Sequence, residues 1–349
     1  METLDAQFVK AKRNVSVSGS KQDAAKAAHE ELRELLERDA QLREWGIDTI
    51  LIGSYARLTA RYPGKDVDVF LRFLKLSERS DPATIYESVQ RVLVEEYGLK
   101  GEDEGGRVTL QARSLKVDFG DSDNPDGDSS FSIDAVPAVP WGDNWGVPNH
   151  DSDKWSSADD RWIETNPVEF NQKTEDLSIA AWSPTIDGDN AYRPIVRMLR
   201  QVRHMHLGDS KPGGLFVEVA AYYAWNEREV SGSSWAQLLE QTLIAVASRF
   251  RDATDNGLLD PVLGTALQPA LKPDEWTNAA DVFDVLATQA TKALEANRCM
   301  AAKLWRDVLG VNDRGPVLPL PEGCDANGAP ITGVTAVGAL GSDDPRGFA

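Results

Sequence analysis

The chain has 349 residues, 41% hydrophobic and 27% charged, enough to bury one large core or two domains. Its formal charge of −19 weighs against a sequence-independent grip on duplex DNA, which relies on clustered Lys and Arg. No stretch has the apolar length of a membrane helix and the N-terminus lacks a signal-peptide core, so no membrane contact and a cytoplasmic location are expected. With only Cys299 and Cys324, neither a disulfide framework nor a zinc site is expected.

Residues 1–20 are polar and read as loosely held, with packing as a short arm the alternative. Ser20-Lys-Gln-Asp23 resembles a capping box ahead of a helix over 24–45, with Leu32, Leu35, Leu36 and Leu42 available for one face and Gly46 at its end. A strand over 48–52 runs into Gly53-Ser54, and a short basic connection leads to a second strand carrying Asp66 and Asp68. A helix over 83–97 follows, stopped by Gly98, then strands over 107–112, 115–119 and 131–136. Between the last two, Asp121-Ser-Asp-Asn-Pro-Asp-Gly-Asp128 has the composition of a calcium loop. Its spacing carries an extra residue and Ser132 stands where a bidentate Glu is needed, so it reads as a solvated turn.

Residues 137–192 hold Trp141, Trp145, Trp155, Trp162 and Trp182 among many Asp, Asn and Pro, and read as a connection irregular in outline and partly packed. Helical patterns then cover 194–206, 216–229, 234–249 and 279–309. From Pro316 onward small residues, Pro and Gly dominate, the composition of a flexible tail. The expected organisation is α/β (α+β): a sheet core with an N-terminal helix over 1–192, a helical C-terminal lobe over 193–315 and a tail over 316–349.

The chemistry concentrates between Leu51 and Phe73. Residues two apart in a strand share a face, so Asp66 and Asp68 project one way while Val67 and Val69 project the other. Two carboxylates on one face repel each other unless a divalent cation sits between them. Gly53 permits close backbone approach to a ligand, and the Ser54 hydroxyl suits a phosphate. Asp134, bracketed by Ile133, Val136 and Pro137, is the third carboxylate, preferred over Asp118. Together they predict phosphoryl transfer: two Mg2+ or Mn2+ ions about 4 Å apart, held by Asp66, Asp68 and Asp134, clamp the attacking and leaving oxygens.

GSYARLT, then DVDVF, then IDAVPA resembles the DNA polymerase β-like nucleotidyltransferase superfamily. Within it the chain is most similar to the bacterial cGAS/DncV-like nucleotidyltransferases (CD-NTases), which make cyclic di- and trinucleotide signals in antiphage defence. RWIETNPVEF (161–170) resembles their passage into the helical lobe and RPIVRMLRQVRHMH their basic spine helix; the likeness spans roughly 20–310. It implies two lobes around a central cleft, nucleoside triphosphate substrates with ATP among them, and a product that activates a separate effector protein. It also implies nucleotide contacts from Gly53, Ser54, Arg57, Thr59 and Arg200. Family members often carry Lys-Ser before the helix that here begins near Phe216; this chain departs from that with Lys211-Pro-Gly213-Gly214, and the resemblance implies a phosphate contact there either from Lys211 in a shifted position or from the backbone amides of Gly213 and Gly214. In some operons of this type a ubiquitin-transferase-like enzyme conjugates the synthase C-terminus, here Ala349. The alternatives are a nucleotidyltransferase acting on tRNA or a protein, and an inactive scaffold.

Overall fold

The computed structural model describes residues 3–120 and 130–331. Seven strands form one sheet: β1 (Ile47–Ile52), β2 (Asp66–Phe73), β3 (Val108–Leu110), β4 (Leu115–Phe119), β5 (Phe131–Trp141), β6 (Asn144–Pro148) and β7 (Trp162–Thr165). Their order is β1-β2-β5-β4-β3, with β6 pairing the far end of β5 and β7 pairing β6. β2 and β5 run parallel, while every other pairing in the sheet is antiparallel.

Period-two alternation sorts the sheet faces. Val67, Val69, Leu71 and Phe73 of β2, with Ile133 and Ala135 of β5, are buried against α2 (Gly19–Arg38) and α5 (Pro82–Tyr97). The opposite face carries Asp66 and Asp68 at one end and Phe70 at the other, where Phe70 packs with Ala138 and Val147. One helix-covered face and one largely bare face leave the carboxylates beside a cleft.

The second lobe is helical: α6 (Pro167–Ile179), α7 (Tyr192–Leu207), α8 (Gly214–Asn226), α9 (Trp235–Asn256), α10 (Pro273–Glu295) and α11 (Arg298–Leu309). They share one core in which Trp225, Trp235, Trp276 and Trp305 are almost wholly buried. α8 is apolar around nearly its whole circumference, as a helix at the centre of a lobe must be.

Several expectations need correction. Residues 5–15 are not loosely held: they take the packed alternative, as a helix, α1 (Asp5–Val15). Phe8, Ala11 and Val15 insert into the helical lobe, Phe8 meeting Trp305 edge-on at 5.1 Å. The helix expected over 24–45 breaks at Asp39, whose side chain accepts from the amides of Gln41 and Leu42 and starts α3 (Ala40–Glu44). The connection over 137–192 is largely ordered as the end of β5, β6, β7, α6 and a small hairpin, β8 (Thr185–Ile186) with β9 (Asp189–Asn190).

The start of the expected tail is also fixed. After the hairpin β10 (Val311–Asn312) and β11 (Gly315–Pro316), Val317 and Leu318 are wholly buried, and Asn14 Nδ2 donates to the Val317 carbonyl at 2.9 Å. Cys299 and Cys324 are joined as a disulfide, contrary to expectation. A Pro- and Gly-rich composition concealed two apolar residues that complete a core. The turn at 121–128 and the last residues, Ala349 included, lie outside the described residues.

Candidate active site

The parallel β2–β5 register places Asp68 directly across from Asp134, and Asp66 across from Ser132. One strand further, β4 sets Lys116 opposite Asp134 and Asp118 opposite Ser132. Asp66 is exposed and receives hydrogen bonds from Ser132 Oγ at 3.1 Å and Lys116 Nζ at 3.3 Å. Asp118 is paired with Lys100, so it is already neutralised. Asp134 is not: its Oδ1 is buried with no partner.

Burial and like charge push Asp68 and Asp134 toward protonation. Asp134 is raised to about 6, by loss of solvent first and then by the Asp68 charge. Burial also raises Asp68, more than Arg57 and Arg200 lower it. Among the described residues no three acidic, His or Cys side chains converge as a ready cation cage. The donor set nonetheless fits a hard divalent cation: three carboxylates on one face, two disfavouring their own ionisation and one with an unpartnered oxygen.

β1 ends at Ile52 and the chain turns sharply through α4 (Gly53–Ala56). Gly53 has φ of 67°, and a Cβ there would collide with Asp68 Oδ2. Only glycine allows the turn to lie against the carboxylate. Ser54 follows, half-buried, beside Asp66 and Asp68.

Thr59 turns away from the open face, and Arg57, though it borders the cleft, is committed to a buried partner. Arg57 Nε and Nη2 donate to the two carboxylate oxygens of Glu218 at 2.7 and 3.1 Å, and Thr59 Oγ1 donates to Oε1 at 2.7 Å. Arg200 Nη1 adds a fourth bond at 3.2 Å. Arg57 also reaches Asn171 Oδ1 at 3.1 Å and lies over the Phe170 ring. Burial pushes Glu218 up, but Arg57, Arg200 and these hydrogen bonds outweigh it and hold the carboxyl below its ordinary range. The nucleotide contact expected of Thr59 is not available, since its side chain is wholly buried on Glu218. Lys211 is exposed and lines neither of the cavities described next.

Two cavities meet at Asp68. The larger, about 400 Å³, has an apolar wall of Phe70, Val136, Val147 and Ile163 and is closed on the lobe side by α8 and residues 260–268. The smaller, about 350 Å³, holds Asp66 and Asp68 opposite a basic rim of Arg61, Lys65, Arg203 and His204. Ser54, Asp68, Arg200 and Gly214 line both. A Cβ at Gly214 would press on the Arg200 guanidinium at 3.3 Å, so this glycine keeps the start of α8 close to α7.

The sequence reading overlooked three residues here. Lys116 was within reach of it, since alternation from Asp118 puts Lys116 on the same face. Glu218 had a signal too, as a lone charge in the apolar run Leu215–Ala224. Arg113, in the β3–β4 turn, lines the larger cavity and had none.

Architecture and site together define a nucleotidyltransferase-type fold: a sheet with acidic residues in register on adjacent strands, facing a helical lobe across a cleft. The particular likeness is to solved CD-NTases. E. coli MS115-1 CdnC solved with ATP has a TM-score of 0.65 and 15% identity, covering 88% of this chain and 97% of that one. The Bradyrhizobium diazoefficiens CD-NTase CdnG in complex with GTP has a TM-score of 0.63 and 16% identity, covering 88% and 95%. Vibrio cholerae DncV, a cyclic AMP-GMP synthase, has a TM-score of 0.56 and 13% identity, covering 92% and 90%. No family model and no curated protein matches the sequence. The chain therefore has the CD-NTase fold that the sequence motifs led one to expect.

Proposed function

We propose that this protein is a metal-dependent nucleotidyltransferase that links nucleoside triphosphates into a cyclic di- or trinucleotide. The observation that carries the reading is the pair of cavities meeting at Asp68, flanked by Gly53-Ser54 and facing Asp134 across the strand register. The basic cavity suits a triphosphate, held by Ser54 and the Arg61, Lys65 and Arg203 side chains. The apolar wall of the larger cavity suits bases and sugars. A ribose hydroxyl oxygen forms a bond to the donor α-phosphorus. The bond from that phosphorus to the bridging oxygen breaks, and pyrophosphate leaves with the electron pair. The hydroxyl proton leaves through the carboxylate face. Mg2+ or Mn2+, two ions held by Asp66, Asp68 and Asp134, would supply charge neutralisation on the phosphates and acidify the hydroxyl.

The likeness to CdnG with GTP and CdnC with ATP supports purine triphosphates as substrates. The cyclic product follows the likeness to a cyclic AMP-GMP synthase; its role, as an antiphage signal read by a separate effector protein, is carried only by the family resemblance of the sequence motifs. The test is incubation with all four ribonucleoside triphosphates and Mg2+ or Mn2+, followed by pyrophosphate assay and mass spectrometry. A phosphatase-resistant cyclic product, lost on the order of 10³-fold or more in Asp66→Asn plus Asp68→Asn, is expected. A nucleotide mass added to tRNA or protein included in the incubation in place of a free cyclic product, or no turnover, would overturn the reading.

A further inference from the structure

Arg113 sits in the turn joining β3 to β4, and the turn is firmly held. The Tyr86 hydroxyl donates to the carbonyls of Gln111 at 2.8 Å and Ser114 at 3.2 Å, and the Gln111 amide bonds the Ser114 carbonyl at 3.0 Å. From this anchored turn Arg113 reaches the larger cavity. The other two arginines lining it, Arg57 and Arg200, are both tied to Glu218. Among the described residues Arg113 has no hydrogen-bond or ion-pair partner, and Asp68 is the carboxylate whose field acts on it. Arg113 is half-buried on the cavity wall, and a guanidinium held there without a protein partner is placed to take an anion from a ligand.

The geometry of displacement says which anion. In-line transfer requires the attacking hydroxyl to enter opposite the departing pyrophosphate. With the donor triphosphate in the basic cavity beside Asp66, the attacking nucleotide must enter across Asp68, from the larger cavity. That nucleotide brings its own phosphates into a space where the remaining walls are largely apolar and the other guanidiniums are already engaged.

We propose that Arg113 binds a phosphate of the acceptor nucleotide, making it the anchor of the attacking substrate rather than of the donor. This rests on the nucleotidyltransferase reading above. The step is the one already written, with the acceptor ribose oxygen forming the new P–O bond. Arg113 holds the acceptor's own phosphate by charge-assisted hydrogen bonds and takes no part in proton transfer.

The test separates donor from acceptor. A 2′,3′-dideoxynucleoside triphosphate acts only as donor. An α,β-methylene triphosphate acts only as acceptor, and is compared with its parent nucleoside carrying no phosphate. The wild type should favour the phosphate-bearing acceptor in kcat/KM by about 10- to 100-fold, the worth of charged hydrogen bonds to one group. In Arg113→Ala this preference should shrink to about twofold with the donor KM unchanged, and Arg113→Lys should restore part of it. Arg113→Met retains an apolar stem should the alanine variant melt early. An undiminished preference in the variants overturns the proposal, as does an equal slowing of both acceptors, which would put Arg113 on the transferred phosphoryl group. Absence of transfer by the wild type with any acceptor would overturn the nucleotidyltransferase reading as well, whereas dideoxy transfer with an unaltered preference would sink Arg113 alone.

Discussion

Two groups of buried charge lie on either side of the Gly53–Thr59 turn, and they are built in opposite ways. On the helical-lobe side, Glu218 is enclosed and accepts bonds from Arg57, Thr59 and Arg200, so its charge is over-compensated by protein. On the sheet side, Asp68 and Asp134 face each other with one buried oxygen unpartnered, and their charge is under-compensated. The first arrangement resembles a structural joint between lobes. The second leaves electrostatic work for something that binds. Burial alone is therefore a poor guide to role; what separates the groups is whether the protein itself completes their partners.

The comparison breaks first at Glu218. Glu218→Gln removes the carboxylate charge while leaving Arg57 and Arg200 in place, at a cost of roughly 3–5 kcal/mol, the range for unpairing a buried ion pair. Urea denaturation followed by intrinsic fluorescence checks this, and a change below about 1 kcal/mol would show that the hub is not a joint.

A smaller effect of opposite sign is expected at Asp134. Its carboxyl titrates near 3.8 when unfolded and about 6 when folded, so between those values the folded state binds more protons. Stability from this group is full below pH 3.8, falls as pH rises to about 6, and is lost above that. Asp134→Asn should therefore melt about 1–3 °C higher than the wild type at pH 7.5 without divalent ions, and by less at pH 5. A variant less stable at pH 7.5 would mean that Asp134 is compensated after all.

The sheet side was readable in sequence because its logic is local. Period two put Asp66 and Asp68 on one face, and the sharp turn demanded Gly53. The match of Asp134 to Asp68 needed only the guess that two strands lie side by side. On the lobe side Glu218 stood out only as a lone charge in an apolar run, and nothing local pairs it with Arg57, 161 positions away. Arg57 and Thr59 were expected to touch nucleotide, yet in the structure both serve this hub, since the motif alone does not reveal which partner a side chain takes. Fold boundaries failed for a related reason. α1 and Val317-Leu318 belong to the helical core although they sit at opposite ends of the described chain, and composition carries no record of such packing.

The central claim is that the carboxylate face awaits a cation whereas the Glu218 hub does not. Titrating Mn2+ into the purified protein at pH 7.5, read by calorimetry, tests it most directly in wild type, Asp68→Asn and Glu218→Gln. The account predicts saturable binding by the wild type and by whatever fraction of Glu218→Gln remains folded, and its loss in a folded Asp68→Asn. Equal binding by the wild type and Asp68→Asn, or none by the wild type, would contradict it.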